Sequence, residues 1–186
     1  MSKKIINKKI ISFDIDGILN NYPKCFVEYV NFLKKKKFKS IEILKKNLDK
    51  KNYQAIKDRY RRSNYKYNLK IENKLVNIIN LISKKYEILI ISSRPFHKYK
   101  RMYRRTFLWI KKNNIKNFKL FYKKKNIITN YKVFLHIDDR EADINKIYNN
   151  QTQFFLISTE VKKRRKNIIL VKKNKLITKL KNYLDL

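Results

Sequence analysis

The chain has 186 residues, of which 43% are hydrophobic, and this size and composition suit one folded domain over residues 1–186. It carries 49 Lys and Arg against 14 Asp and Glu, a formal net charge of +35. Its single cysteine, Cys25, excludes an intramolecular disulfide, and no apolar run approaches the ~20 residues that span a membrane. We therefore expect a soluble cytoplasmic protein with no membrane partner.

The excess of positive charge has two explanations that the sequence leaves open. A broad positive field attracts nucleic acid and also helps a small phosphorylated substrate to arrive. Alternatively, the charge reflects genome bias, since the chain is rich in Lys, Asn, Ile and Tyr but has one Gly and two Pro. Bias explains the choice of Lys over Arg better than it explains the scarcity of acids. Nucleic acid is therefore one candidate partner, and a small phosphorylated substrate is the other.

Short apolar runs predict the strands of a parallel sheet. The runs are 10–15, 88–92, 119–121, 133–137, 154–157 and 168–171. Their near-continuous hydrophobicity is typical of strands that are buried on both faces. Helical spacing of apolar residues predicts helices over 23–35, 71–84, 99–113 and 143–149. Because strand and helix alternate from Glu72 onward, the predicted fold class is α/β, a doubly wound Rossmann-like parallel sheet.

Residues 20–70 interrupt this alternation. The segment contains no convincing strand, is strongly basic and includes Tyr53, Tyr60, Tyr65 and Tyr67. We interpret it as a small helical cap that is inserted after the first strand. Its tyrosines either form the core of the cap or stack on a nucleobase.

Polar residues follow four of the predicted strands, at the end where open α/β sheets bind their ligands. In chain order they are Asp14-Ile-Asp16-Gly17, Ser92-Ser93-Arg94, Lys123-Lys124-Lys125 and Asp138-Asp139-Arg140, with Asp143 four residues after Asp139. Gly17 is the only glycine of the chain, and glycine tolerates positive φ and a close approach of the backbone to other groups. We expect Gly17 to lie in a turn beside the Asp14 and Asp139 carboxylates.

This ordered set resembles the haloacid dehalogenase superfamily of aspartate-nucleophile phosphatases, over roughly residues 9–157. The stretches that carry the resemblance are Phe13-Asp-Ile-Asp-Gly-Ile-Leu-Asn-Asn-Tyr-Pro23, Ile90-Ile-Ser-Ser-Arg-Pro95 and Ile137-Asp-Asp-Arg140. Within the superfamily the chain is similar to the 5'(3')-deoxyribonucleotidase-like group, and its Ser-x-Arg and Ile-Asp-Asp-Arg patterns resemble the phosphatase domain of phage polynucleotide kinase. It departs from many relatives in having Ile18 where they have Thr.

The resemblance implies a catalytic role for four residues. Asp14 is the expected nucleophile, which forms an aspartyl-phosphate, and Asp16 is the expected general acid and base. Ser92 is expected to hydrogen-bond a phosphate oxygen. A lysine among 123–125 is expected to neutralise charge on the phosphoryl oxygens, and Lys125 fits best by spacing while Lys123 and Lys124 stay open.

The resemblance also implies a Mg²⁺ ion and further contacts to the substrate. The expected metal ligands are Asp14, the carbonyl of Asp16, and Asp138 or Asp139. Ser93, Arg94 and Arg140 are the expected substrate-binding residues, although both arginines alternatively form structural ion pairs. Asp143 is either an ordinary first-turn acid of a helix or a residue near the metal. His136, inside a predicted buried strand, is expected to be a satisfied core residue.

The implied function is that of a hydrolase, a Mg²⁺-dependent phosphomonoesterase that acts on nucleoside or deoxynucleoside monophosphates. One alternative is a polynucleotide 3'-phosphatase that acts on nucleic-acid ends, which the charge of +35 also favours. Another is a basic nucleic-acid-binding protein that keeps the fold without the catalysis.

Overall fold

The computed structural model describes residues 8–99, 101–122, 124–158, 160–162 and 165–186. These contain one six-stranded sheet whose strands are β1 (Ile10–Asp14), β2 (Glu87–Ser92), β3 (Phe118–Tyr122), β4 (Leu135–Asp138), β5 (Gln153–Ile157) and β6 (Ile168–Val171). The strand order is β3-β2-β1-β4-β5-β6, and every neighbouring pair is parallel. The predicted α/β class with a doubly wound parallel sheet is confirmed.

The order of the strands places β1 beside β4 in the middle of the sheet. The chain moves from β1 to β2 and β3 on one side, and to β4, β5 and β6 on the other. Ligands of open α/β sheets bind at such a reversal of strand order. The register sets Phe13 opposite Ile137 and Asp14 opposite Ile91, so Asp14, Ser92 and Asp138 end their strands at nearly the same level.

Helices connect the strands and cover both faces of the sheet. They are α1 (Lys24–Lys34), α2 (Ile41–Asn47), α3 (Lys50–Arg62), α4 (Asn73–Lys85), α5 (Met102–Lys112), α6 (Lys124–Asn130), α7 (Glu141–Ile147) and α8 (Leu176–Leu184). Successive residues of β2 pack on opposite sides: Ile88 and Ile90 belong to one hydrophobic cluster, Leu89 and Ile91 to another. This double burial explains the continuous apolar runs.

Several predicted boundaries differ from the observed ones. The fourth strand begins at Leu135, opposite Ile11, and not at residue 133 as predicted. Val133 is buried in a hydrophobic cluster, but it precedes the strand. Helix α5 begins at Met102 instead of residue 99, since a separate short turn, Phe96–Lys98, follows Pro95. Hydrophobicity reports burial, and it does not show where a hydrogen-bonded ladder or helix starts.

Residues 20–70, here called the insert, fold as three helices and one short turn, Tyr65–Tyr67. Helices α2 and α3 begin after Ser40 and Asp49, whose side chains accept backbone N–H hydrogen bonds as N-caps. The insert has its own hydrophobic cluster, in which Tyr29 and Tyr60 are buried. Its tyrosines therefore serve largely as core residues. Its interpretation as a cap of a single domain stays a prediction.

Within the described ranges, none of the helices combines the length and the apolar character that crossing a membrane requires. The cytoplasmic location stays a prediction.

Candidate active site

The chain leaves β1 through a tight turn, Ile15–Leu19, that Gly17 makes possible. The Asn20 N–H closes the turn by donating to the Ile15 carbonyl at 3.2 Å. Gly17 has a φ of 85°, which side-chain-bearing residues rarely adopt. A Cβ atom on Gly17 would lie 1.9 Å from Asp139 Oδ2, so a side chain at position 17 would force the Asp139 carboxylate to move. The expected position of Gly17 beside Asp139 is confirmed.

Three carboxylates converge at the ends of β1 and β4. Asp14, Asp138 and Asp139 each offer an oxygen within 4.8 Å of the other two. Asp14 and Asp138 are buried, so little water screens the repulsion among them. Clustered carboxylate oxygens are the ligands that Mg²⁺ prefers. The residues present therefore fit a divalent cation.

His136 supports this acidic cluster from within the core. It is fully buried, with Nδ1 2.8 Å from Ser12 Oγ and Nε2 3.3 Å from Asp138 Oδ2. The Arg140 N–H also donates to Asp138 Oδ1 at 3.1 Å. The expectation that His136 is a satisfied core residue is confirmed, and the two contacts orient the Asp138 carboxylate.

Asp16 lies outside the acidic cluster and is bound by Arg94. Arg94 donates from Nε to Asp16 Oδ2 at 3.1 Å and from Nη2 to Asp16 Oδ1. Burial acts to raise the pKa of Asp16, but the Arg94 guanidinium, with Lys66 and Asn20, holds that pKa well below its usual range. In this arrangement Asp16 is ionised. The structural ion pair considered for Arg94 is observed.

Asn20 organises the same turn from four residues further along the chain. Its side-chain amide donates to Asp16 Oδ1 at 2.9 Å. Its Oδ1 accepts the N–H groups of Gly17 at 3.2 Å and Tyr22 at 3.0 Å. The sequence reasoning missed this role, although an Asn that closes a turn through its own side chain is a recognisable local pattern.

The other predicted residues lie at the ends of β2 and β4. Ser92 is buried, and its Oγ accepts the Arg94 N–H at 3.3 Å, whereas Ser93 is exposed. Arg140 forms an ion pair with Asp143 in the first turn of α7, with Nη1 3.2 Å from Oδ2. Both arginines thus combine ion pairs with a position at the site.

The predicted catalytic lysines cannot be placed. Lys123 lies outside the described residues, and so do the side chains of Lys124 and Lys125. Helix α6, which begins at Lys124, follows β3.

A cavity of about 190 Å³ joins the ends of the strands to the insert. The predicted residues that line it from the sheet are Asp14, Asp16, Ser92, Ser93, Arg94, Asp139 and Arg140, together with Asp143. The insert lines it with five residues that the sequence reasoning did not single out as site residues: Tyr22, Lys57, Tyr60, Arg61 and Lys66. No local pattern distinguishes these cations among the 49 Lys and Arg.

Lys173, after β6, also reaches the turn around Gly17. Its ammonium group donates to the carbonyl oxygens of Gly17 at 2.5 Å and Ile18 at 2.7 Å. Burial lowers the pKa of Lys173, and the nearby Asp139 carboxylate partly offsets this. This long-range contact steadies the turn that carries Asp16, and nothing in the local sequence indicates it.

Comparison with known proteins identifies the fold. No family model matches the chain, and no curated protein matches its sequence. A haloacid dehalogenase-like family hydrolase from Streptococcus pneumoniae has a similar structure, with a TM-score of 0.57, 12% identity and coverage of 93% of this chain and 98% of that one. A phosphoserine phosphatase from T. onnurineus has a TM-score of 0.54 and 15% identity, with coverage of 97% and 98%.

A third similar structure is a HAD-hydrolase from Bacillus subtilis with magnesium bound. Its TM-score is 0.55 at 12% identity, and the match covers 97% of this chain and 100% of that one. Together with the six-stranded parallel sheet, these likenesses show that the chain has the haloacid dehalogenase-like α/β fold.

Proposed function

We propose that the protein is a hydrolase, a phosphomonoesterase of the haloacid dehalogenase type that uses Asp14 as its nucleophile. The observation that carries the proposal is the convergence of Asp14, Asp138 and Asp139 at the ends of neighbouring strands of this fold. The T. onnurineus neighbour, a phosphoserine phosphatase, shows that the fold hosts phosphate-ester hydrolysis. Burial of Asp14 beside Ser92 and Arg94 supports the same chemistry.

The acidic cluster suits Mg²⁺ as the cofactor. Asp14, Asp138 and Asp139 would hold it, with the Asp16 carbonyl as a further oxygen ligand, and the B. subtilis neighbour binds magnesium. A bound Mg²⁺ offsets the repulsion between these carboxylates and a phosphate dianion, and it polarises the phosphoryl group. This role explains why like charges are buried side by side.

The chain's own residues supply the transfer steps. The Asp14 carboxylate attacks phosphorus, the bond from phosphorus to the ester oxygen breaks, and Asp16 protonates the leaving oxygen. Water then attacks the aspartyl-phosphate while Asp16 accepts its proton, which releases phosphate. Ser92 and Ser93, which line the cavity, would hydrogen-bond phosphate oxygens, and a lysine of 123–125, with Lys125 the first choice, would neutralise their charge.

The ion pair between Arg94 and Asp16 adds a condition to this mechanism. While Arg94 holds Asp16 ionised, Asp16 is a poor proton donor. A substrate phosphate competes with Asp16 for the Arg94 guanidinium, because both are anions of matching geometry. Substrate binding thereby frees Asp16 to carry the proton that the leaving group needs. Arg140, paired with Asp143 at the same cavity, is the second arginine for the phosphate.

We propose nucleoside monophosphates as the substrate class, on the strength of the motif resemblance. The cavity, at about 190 Å³, is smaller than the ~300–1,000 Å³ of sites that enclose a whole drug-sized ligand. The phosphate end of a nucleotide therefore lies inside, and its base extends towards solvent. Because Tyr60 is buried within the insert, base stacking on it does not contribute.

A polynucleotide 3'-phosphatase is the second candidate, and one observation favours it. A second cleft adjoins the cavity through Arg61 and is lined by further cations, Arg62, Lys98 and Arg105, around Tyr99. Such a lining suits the backbone of a single strand. A nucleic-acid-binding role without catalysis is disfavoured, because the carboxylates of both acidic motifs are present.

The test is the release of phosphate from a panel of nucleoside monophosphates, sugar phosphates and a 3'-phosphorylated oligonucleotide, with Mg²⁺ and with a chelator. We expect turnover only with the metal, and none above background in Asp14→Asn. Asp185→Asn, an exposed acid beyond α8, is the matched control and should retain activity. An Asp14→Asn variant as active as the parent would contradict the mechanism. Faster turnover of the oligonucleotide than of the mononucleotides would select the second candidate.

A further inference from the structure

The insert presents three cationic side chains to the cavity, one of which, Arg61, is already paired with Asp58, with Nη1 3.4 Å from Oδ1. Lys57 and Arg61 are four residues apart on α3, so they occupy the same face of that helix. Lys66 follows in the short turn after it. All three line the cavity from the insert, whereas Asp14 lines it from the end of β1.

Lys66 is the most informative of these cations, because only 4% of it is exposed. Lysine is almost never buried to this degree unless it is paired. Among the described residues, neither the Lys66 ammonium nor that of Lys57 has an ion pair or a hydrogen bond. Both ammonium groups lie over aromatic rings, that of Lys66 4.9 Å from the Tyr67 centroid and that of Lys57 5.7 Å from the Tyr53 centroid.

The acids of the cavity compensate these lysines only in part. Asp16 attracts both lysines but is bound by Arg94, and Asp143 is paired with Arg140. Burial and repulsion by Arg94 lower the Lys66 pKa, and attraction to Asp16 offsets them only in part. Burying an incompletely compensated charge costs free energy, which an anion bound between these cations would recover. The transferred phosphoryl group belongs at Asp14, at the end of β1, where Ser92, Arg94 and Arg140 line the same cavity. The cations of the insert are therefore left for a different anion.

We propose that Lys57, Arg61 and Lys66 form a second phosphate subsite, so that the substrate carries another phosphate besides the one transferred to Asp14. This inference rests on the proposed phosphomonoesterase function. The second phosphate is either the other terminus of a nucleoside bisphosphate or the adjoining phosphodiester of a 3'-phosphorylated oligonucleotide. Arg61 also lines the second cleft, which offers the longer substrate a path out of the cavity.

The first test compares kcat/KM for matched substrates: a nucleoside 3',5'-bisphosphate, the two corresponding monophosphates and a 3'-phosphorylated dinucleotide. We expect the parent to favour a substrate with a second phosphate by at least about tenfold, the effect of one charged hydrogen bond. Lys57→Ala and Lys66→Met should each remove about tenfold of that preference. Lys51→Ala, an exposed lysine of the same helix, should retain it.

Two outcomes of these kinetics would overturn the proposal. One is a parent enzyme that does not distinguish mono- from bisphosphate. The other is a Lys57 variant that loses activity equally on both, since this loss would assign the lysine to the transferred phosphoryl group. If Lys66→Met fails to fold, as judged by circular dichroism, the substrate preference of Lys57→Ala alone tests the proposal. The faster of the bisphosphate and the dinucleotide identifies the source of the second phosphate.

A binding experiment separates this inference from the proposed function. Calorimetry with Asp14→Asn and Mg²⁺ measures affinity for the nucleoside bisphosphate and for the monophosphate without turnover. We expect at least about tenfold tighter binding of the bisphosphate, and loss of that difference when Lys66→Met is added. Tighter binding with an inactive parent would refute phosphomonoesterase activity and keep the subsite. Turnover by the parent without this difference in affinity would refute the subsite and keep the phosphomonoesterase activity.

Discussion

At the scale of single residues, Gly17 makes the acidic cluster geometrically possible. Its φ of 85° turns the chain directly after Asp16, and its missing side chain leaves room for the Asp139 carboxylate. A side chain here would meet both a strained backbone and an occupied space. The glycine is therefore needed for both local conformation and packing between β1 and β4.

Gly17→Ala should lower both stability and activity. Positive φ alone costs an alanine about 1–2 kcal/mol, and the clash with Asp139 adds to this. Chemical denaturation should show the loss of folding free energy, and phosphate release should fall by more than about tenfold. Combining Gly17→Ala with Asp139→Gly should restore part of the stability but none of the activity. A single variant with unchanged stability would show that the turn adapts easily.

The pair of Arg94 and Asp16 predicts a specific pH dependence. Because Arg94 lowers the pKa of Asp16 below its ordinary 3.8, the unfolded chain takes up this proton before the folded protein does. The stability that Asp16 contributes is thus present above about pH 4 and is lost as the pH falls towards the folded pKa. This contribution depends on Arg94.

Replacing Arg94 with Met should remove that contribution. Burial then acts to raise the Asp16 pKa against Lys66 and Asn20 alone, so the variant is destabilised relative to the parent at neutral pH and less so in acid. We expect a difference of about 1–2 kcal/mol near pH 7, moderated because a third of the Asp16 side chain is exposed, and a smaller difference near pH 3. Urea denaturation between these values measures it. A difference independent of pH would contradict the assignment.

At the scale of elements, the insert has a hydrophobic cluster separate from those of the sheet. Helices α1 and α3 contribute Phe26 and Tyr60, whose ring centroids lie 5.2 Å apart. Such a cluster lets a segment unfold locally while the rest of the protein stays folded. The insert carries the three cations of the proposed second subsite, so its integrity bears on specificity rather than on the acidic cluster.

Phe26→Ala should destabilise the insert by about 3–5 kcal/mol, since its fully buried ring fills that cluster. Hydrogen exchange should then show lost protection in α1 and α3 and retained protection in β1 and β2. Phe155→Ala, in the core of the sheet, is the matched control and should reduce protection throughout. If Phe26→Ala instead lost hydrogen-exchange protection equally in the insert and in the sheet, residues 20–70 would not behave as a distinct cap.

At the scale of the whole molecule, the charge of +35 dominates the electrostatics. Self-repulsion among like charges destabilises a compact state, whereas the same field attracts anionic substrates. Because 49 Lys and Arg stand against 14 Asp and Glu, the chain has too few acids to pair with most of its basic side chains. Both effects should depend on ionic strength.

Added NaCl should stabilise the protein. Raising the salt from about 0.01 M to about 0.1 M shortens the Debye length from ~30 Å to ~10 Å and screens the repulsion. Scanning calorimetry should record a higher Tm, with KCl giving the same shift as a control for specific ion binding. Over the same range of salt, kcat/KM for phosphorylated substrates should fall because their attraction to the protein is screened, whereas kcat should stay unchanged. A Tm that falls with salt would mean that attractive pairs outweigh repulsion.

The local pattern of the sequence was enough to predict the strands, the parallel sheet and the residues at the strand ends. Apolar runs report burial on both faces, and strand order places Asp14 and Asp138 side by side. The need for glycine at 17 also follows from a tight turn after a strand. These features depend on neighbours in the chain and on general rules of α/β topology.

Only the tertiary structure decided which charges meet. Arg94 reaches Asp16 across 78 positions in the chain, and Lys66 is buried at the cavity although 49 basic residues give it no distinguishing signal. Such contacts depend on how the insert and the strands pack in three dimensions. The sequence by itself determined which residues lie at the strand ends. The packing determined that Lys57, Arg61 and Lys66 of the insert face the same cavity, because Coulomb interactions depend on distance in space and not on separation along the chain.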